Sequence, residues 1–358
     1  MKDKIKPYLV NTIVLITSLV MGFVLIEVGF RMILFSNISA FESLRKPDNY
    51  ADYFSDDDYW KLLYYFGRKP RANPHPVLGW VSSDFSGETY LHNDAQNVHN
   101  RRPVLLYGDS FAHCAREVLC FQDILNKDDE FSKKYYLLNY GVGSYGLDQI
   151  YLLFQQSVYR YDDPYIVISF MTLDLDRSVL SVRSGQKPYF WIKNDELQLA
   201  GLPINPNPRE YFAENPVQIK SYVYRRILYG YLPNDTIRWL RPGVERIDEK
   251  KAINEKILGE LIKELRANDM DFVFVVFHPH WPGVSTLDRE SDWRDPFIKQ
   301  LLEKNKVPYV WSRELFEQDN QIYDLSYDHY IIPDNGHPTS HFNGLIAREI
   351  KKYILENP

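Results

Sequence analysis

Five strand-like runs, most of them continuously apolar, set the limits on what this chain can fold into. They are Val104–Tyr107, Tyr136–Tyr140, Tyr165–Phe170, Phe272–Phe277 and Tyr309–Trp311. A strand with one face in water alternates apolar and polar residues, whereas a strand buried on both faces is apolar throughout. Such strands need helices above and below them. Helical segments do lie between the runs. The clearest, Glu249–Asn268, sets Ile253, Ile257, Leu258, Leu261, Ile262 and Leu265 on one face. Phe342, Leu345, Ile346, Ile350 and Ile354 repeat that spacing near the end of the chain. The alternation predicts a three-layer α/β/α sandwich around a parallel five-stranded sheet.

The N-terminal stretch belongs to a different solvent. Lys2, Lys4 and Lys6 precede an apolar run from Tyr8 to Ile26, about the length a helix needs to cross a hydrocarbon core. Glu27 and Arg31 continue the helical pattern, and no small-x-small cleavage site closes the run. An uncleaved transmembrane anchor is therefore expected in preference to a cleaved signal. The lysines assign the N-terminus to the cytoplasm and the rest of the chain to the periplasmic or extracellular side of a single-pass membrane protein. The expected division is residues 1–35 as cytoplasmic tip and anchor, 36–100 as an extended lead-in, and 101–358 as the α/β domain. An insertion at about 178–248 interrupts that domain. Within it, Tyr189–Leu199 reads as a β-hairpin with its turn at Asn194-Asp195, expected over the carboxyl edge of the sheet.

Composition removes several functions. The formal charge of -6 spreads over both signs with no basic stripe, which argues against nucleic-acid binding. Cys114 and Cys120 are the two cysteines, too few for a disulfide framework or a cysteine metal site. One bond between the two is possible, but six residues apart on a helix they would sit on different faces. No metal and no cofactor is expected, since Walker and dinucleotide spacings are absent.

The chemistry lies at the strand ends. Gly108-Asp109-Ser110 closes the first run where a helix should begin, lifting a hydroxyl at the carboxyl edge of a sheet. Ser110 is the candidate nucleophile. Asp334-Asn335-Gly336-His337 precedes the last helix. An acid three residues before a histidine can orient its ring, leaving the other nitrogen as base. Asp328, His329 and His341 are fallback candidates. Asn139 to Gln149 carries Gly141, Gly143 and Gly146, a turn able to present N–H donors to an oxyanion. Asp174 or Asp176, after the third run, can pair with Arg177.

In this order the four stretches resemble the SGNH (GDSL-like) hydrolase superfamily. The resemblance covers roughly residues 75–110, 135–200 and 330–355. It implies a flavodoxin-like sheet and a catalytic set of Ser110, His337 and Asp334. The oxyanion site would draw on Gly143 and on Ser144, which stands at the position where the pattern usually has glycine. Pro76-Val77-Leu78-Gly79-Trp80 and Lys187-Pro188-Tyr189-Phe190 resemble a membrane-anchored branch linked to envelope polysaccharides. One position departs. The third block normally supplies an asparagine amide to the oxyanion, and Asp174 stands there. An ionised carboxylate cannot donate. The resemblance implies a serine esterase that removes an acyl group, expected to be acetyl, from an envelope glycan or related ester. Two alternatives stay open: an O-acyltransferase with the same triad, and a catalytically impaired glycan-binding or assembly module.

Overall fold

The strand-like runs become five parallel strands: β1 (Arg102–Gly108), β2 (Tyr135–Gly141), β3 (Tyr165–Met171), β4 (Phe272–Phe277) and β5 (Tyr309–Trp311). The structure, a computed structural model, describes residues 2–36, 38–69, 73–87, 90–230, 246–279, 292–333 and 335–356. The helices in chain order are α1 (Lys2–Leu34), α2 (Asp57–Tyr65), α3 (Ser110–His113), α4 (Phe121–Leu125), α5 (Leu147–Ser157) and α6 (Asp174–Arg177). They continue with α7 (Pro208–Glu214), α8 (Tyr222–Gly230), α9 (Ile247–Ala267), α10 (Arg294–Lys304), α11 (Ser312–Tyr323) and α12 (Ser340–Glu356).

The sheet order is β5-β4-β3-β1-β2, with every pairing parallel. This is the flavodoxin-like order, in which the chain reverses direction between β1 and β3. Alternate strand residues serve opposite layers. Leu105, Tyr107, Ile166, Ile168, Phe274 and Val276 pack with the apolar faces of α5, α9 and α10. On the opposite layer α3, α4, α11 and α12 pack. Register brings Gly108 opposite Gly141 at the carboxyl edge.

The chain divides into two compact units, Met1–Pro70 with Arg209–Glu245, and Arg71–Pro208 with Arg246–Pro358. This grouping cuts across the linear division expected from the sequence. In the first unit, Leu34 of α1 joins Tyr50, Leu62, Ile219 and Tyr222 in a small buried core. Part of the inserted stretch thus belongs with the N-terminal helix. The second unit holds the sheet. Its hairpin, Tyr189–Lys193 paired with Glu196–Ala200, turns at Asn194 (φ 52°) and Asp195 (φ 67°), the left-handed pair a two-residue turn needs. The hairpin packs on α5 and α9 and does not lie over the carboxyl edge as expected. Phe190, Ile192 and Leu197 are the reason, since they add to the apolar core on that helical layer.

Candidate active site

The elbow after β1 is shaped by crowding. A Cβ on Gly108 would stand 2.6 Å from Ala112 Cβ and closer still to Ser169 Oγ, so only glycine lets β3 and α3 approach. Asp109 then caps the helix, its Oδ1 accepting from Phe111 N at 2.9 Å. Ser110 follows as the first residue of α3. The helix is a single turn. Cys114, at φ 65°, sends the chain away from it, and Cys114 and Cys120 form a disulfide with Cα atoms 5.8 Å apart. The expectation that they sit on different helix faces is thus corrected: residues 115–119 are loop, so no helical spacing separates them. Asn139 fastens α3 to the sheet. Its Nδ2 donates to Ala112 O (2.7 Å) and Gln122 Oε1 (2.8 Å), and its Oδ1 accepts from Gly141 N (2.9 Å).

The turn after β2 is braced from the lead-in. Ser144 adopts φ 72°, a left-handed conformation that glycine takes without steric cost. Trp80 Nε1 donates to Gly143 O at 3.1 Å, the Tyr145 hydroxyl donates to Trp80 O, and Gln149 Nε2 donates to Leu78 O at 2.7 Å. His75 shapes the Pro76–Trp80 turn. Its Nδ1 accepts from Val77 N (3.1 Å) and Leu78 N (2.9 Å), which leaves Nε2 to face the Tyr90 hydroxyl. Burial pushes the His75 pKa down to about 4, in keeping with a neutral ring whose Nδ1 is an acceptor. From the other side, Lys187, itself fully buried, pairs with buried Asp148 and donates to the carbonyls of Arg177 (3.2 Å) and Leu180 (3.0 Å).

Beyond β3 the polar residues are knotted together. Asp174 is fully buried. Its Oδ2 accepts from Met171 N at 3.0 Å and its Oδ1 is ion-paired with Arg177. Arg177 Nη1 also donates to Tyr145 O at 2.7 Å and lies 3.4 Å from Asp109 Oδ2. One guanidinium thus joins the segments that follow β1, β2 and β3. Burial is the main force raising the pKa of Asp174, helped by the like charge of Asp109 and opposed by Arg177; the net direction is upward. Asp176 turns elsewhere, to Lys250 and Arg294.

His337 arrives from the loop before α12, held by Ile332 N donating to its carbonyl at 2.9 Å. Its ring lies 5.1 Å from that of Phe111, the residue after Ser110. Its Nδ1 is 3.1 Å from Asn335 O and also contacts Asn335 Oδ1. Asp334, the expected orienting acid, lies outside the described residues. The fallback histidines are engaged elsewhere: His341 Nε2 bonds Asp319 Oδ2 at 2.8 Å, and His329 Nδ1 meets Ser326 Oγ at 3.0 Å. Sequence reasoning did not single out Asn335 or the three-way role of Arg177. Asn335 lay inside a stretch read for its acid and histidine. The contacts of Arg177 reach 32 and 68 residues along the chain, beyond any local pattern.

The arrangement offers a serine at a helix start, a histidine whose ring lies against the residue after that serine, and a braced turn of backbone amides; no hydrogen bond joins Ser110 to His337 among the described residues. No protein-family model and no curated protein matches the chain. Among solved structures, the chain is similar to the acetylxylan esterase Axe2 from Geobacillus stearothermophilus (15% identity, 71% of this chain and 94% of that one, TM-score 0.39). It is also similar to a lipolytic protein of the G-D-S-L family from Desulfitobacterium hafniense (10% identity, 71% and 99%, TM-score 0.37). A GDSL-like lipase from Bacteroides thetaiotaomicron is a third such likeness (12% identity, 72% and 89%, TM-score 0.36).

Proposed function

We propose that this chain is a membrane-anchored serine ester hydrolase of the SGNH type, acting on an acyl ester, acetyl in the first instance, of an envelope glycan. The observation that supports the reading is the placement of the His337 ring against Phe111, the residue that follows Ser110. Ser110 opens α3 beyond a glycine elbow, and the His337 ring rests 5.1 Å from the ring of Phe111, its immediate neighbour. Ser110 Oγ attacks the acyl carbonyl and gives its proton to His337. The tetrahedral intermediate collapses, the C–O bond to the leaving alcohol breaks, and that alcohol takes the proton from His337. Water then attacks the acyl-enzyme with His337 again as base, releasing the carboxylic acid and restoring Ser110. The backbone N–H groups of Ser110 and Ser144 receive the developing oxyanion, the role that Trp80 and Arg177 support by bracing the Gly143–Tyr145 turn. Asp334 orients His337 together with Asn335. Asp174 takes no part in the oxyanion site: its contacts with Met171 N and Arg177 favour a tie between strands. α1 is a helix long and apolar enough to cross a membrane, and we assign it the anchor, with the sheet-bearing unit outside the cytoplasm. The disulfide favours that side, because such bonds persist in oxidising compartments.

The test is covalent labelling of the full chain in detergent micelles with a fluorophosphonate. Wild type is expected to be labelled on Ser110, and Ser110→Ala and His337→Ala to lose the label. Labelling unchanged in Ser110→Ala would overturn the assignment of the nucleophile.

A further inference from the structure

The last turns of α1 and the start of α8 form one polar joint. Glu27 Oε1 accepts from Tyr222 N (2.8 Å), and Glu27 Oε2 accepts from Ser221 Oγ (2.8 Å) and Val223 N (3.1 Å). Arg31 Nε bonds the same carboxylate at 2.7 Å, and Arg31 Nη2 donates to Lys220 O at 2.7 Å. Glu27 is therefore the cap of α8, supplied from a distant helix. The depth of this joint follows from length. The apolar part of α1, Val10–Leu34, has 25 residues, about 37 Å at 1.5 Å per residue. A hydrocarbon core of about 30 Å takes about 20 residues, so a span that begins with the apolar run at Tyr8 ends at Glu27. A carboxylate deep in hydrocarbon is unfavourable, and the Glu27 joint suits the boundary instead. The first turn of α8 is thereby fixed at headgroup level. Tyr224 and Ile227, one turn apart on α8, are each 46% exposed. Arg225 and Arg226 between them turn inward to Asp56 and Asn49. The outer face left to the solvent is thus a tyrosine beside an isoleucine, the amphipathic pairing that residues of a membrane interface present.

We propose that α8 is an interfacial helix whose Tyr224–Ile227 face seats in the headgroup region of the bilayer that α1 crosses. The inserted stretch 209–230 then rests on the membrane at the exit of the anchor and holds α1 at a set depth and tilt. The proposal rests on the reading of α1 as spanning.

The test uses the full chain in liposomes of phosphatidylethanolamine and phosphatidylglycerol. With Cys114 and Cys120 tied in their disulfide, an introduced cysteine is the one free thiol for a nitroxide label. Labels go at Tyr224→Cys and Ile227→Cys, with Leu19→Cys as the lipid reference and Lys263→Cys, on an exposed face of α9, as the water reference. Accessibility to oxygen and to a nickel chelate is measured for each. The oxygen-to-nickel ratio at Tyr224→Cys and Ile227→Cys is expected to exceed that at Lys263→Cys by about threefold or more. A ratio equal to that at Lys263→Cys, with Leu19→Cys reading lipid, would overturn the proposal and leave the spanning of α1 intact. Exclusion of both reagents at Tyr224→Cys and Ile227→Cys, the signature of a second protein copy on this face, would overturn it too. If Leu19→Cys reads water, the spanning helix and the proposal fall together.

Discussion

Arg177 carries more of this site than any group that would touch substrate. Its guanidinium compensates two buried carboxylates, Asp109 and Asp174, and holds the carbonyl of Tyr145, the residue after Ser144. Removing the cation strands both acids, a change of about 3–5 kcal/mol for buried pairs, so Arg177→Met is expected to unfold readily. Arg177→Lys keeps the charge and loses the planar fork. It is expected to lower kcat for p-nitrophenyl acetate by about tenfold to a hundredfold, less than the roughly hundredfold to thousandfold lost when an oxyanion donor is removed outright, with KM within about twofold. An unchanged kcat per fluorophosphonate-titrated active site would reduce Arg177 to a residue of stability alone. Asp174→Asn makes the converse case. It keeps an acceptor for Met171 N yet removes the charge facing Arg177, so no gain in turnover is expected and the midpoint of denaturation should fall. This part of the site was half legible. The sequence left Asp174 and Asp176 both open as partners of Arg177. The third partner, Tyr145 O, belongs to another strand end and leaves no mark near Arg177 in the sequence.

Among the elements, the single turn of α3 and the Pro76–Trp80 turn each depend on one local tie. α3 is too short to persist by its own hydrogen bonds, and the Cys114–Cys120 disulfide fixes its far end to the start of α4. The enclosed loop is short, with a separation of 6 residues, so the chain-entropy gain is about 2 kcal/mol. Dithiothreitol should lower the unfolding free energy of the full chain by about that amount, read as a lower urea midpoint at unchanged m, and the Cys114→Ser/Cys120→Ser variant should show the lower midpoint with no further response to reductant. Coincident curves with and without reductant would count against the bond as a stabilising tie. The Pro76–Trp80 turn depends on neutral His75. Burial holds the folded pKa near 4 against an ordinary 6.5, so the unfolded chain takes the proton first as pH falls. Stability from His75 is therefore complete above about pH 6.5 and is lost as pH drops toward 4, by about 1–3 kcal/mol. His75→Asn, which keeps an acceptor for the turn, should flatten the dependence of the melting temperature between pH 7 and 4.5. The five strands were legible because burial on both faces writes itself as nearly uninterrupted apolar sequence, broken within the runs only by Asn139 in β2 and Ser169 in β3. The disulfide was not, because its reading assumed helix through 114–120, and Cys114 at φ 65° breaks the helix there.

On the scale of the whole molecule, the chain closes on itself twice, and the sequence announced one of the two closures. The sheet unit builds one core from runs whose periodicity is local and visible. The other unit is assembled from three distant pieces, α1, residues 39–66 and residues 209–230, none of which has a face large enough to signal its partner. Its buried core is small, with Leu34, Tyr50, Leu62, Ile219 and Tyr222 at the centre and Phe30 packed against them. Two of those six residues come from α1, and the cap of α8 comes from Glu27. A chain beginning at Phe41 would therefore lose the carboxylate that satisfies the first amides of α8 and the side chains that fill the centre of this core. The sheet unit keeps its entire hydrophobic cluster, since no residue of that cluster lies before Leu78. Hydrogen exchange is expected to separate the two. In the truncated chain, amides of Asp57–Tyr65 and Tyr222–Gly230 should exchange at least about tenfold faster than in the full chain in micelles, while β1, β3 and β4 keep their protection. Fluorophosphonate labelling of Ser110 should survive the truncation, because every residue that shapes the elbow and its braced turn belongs to the sheet unit. Unchanged protection across α2 and α8 would mean that α1 contributes a membrane address and no structure. Loss of protection throughout would mean that the two units fold as one.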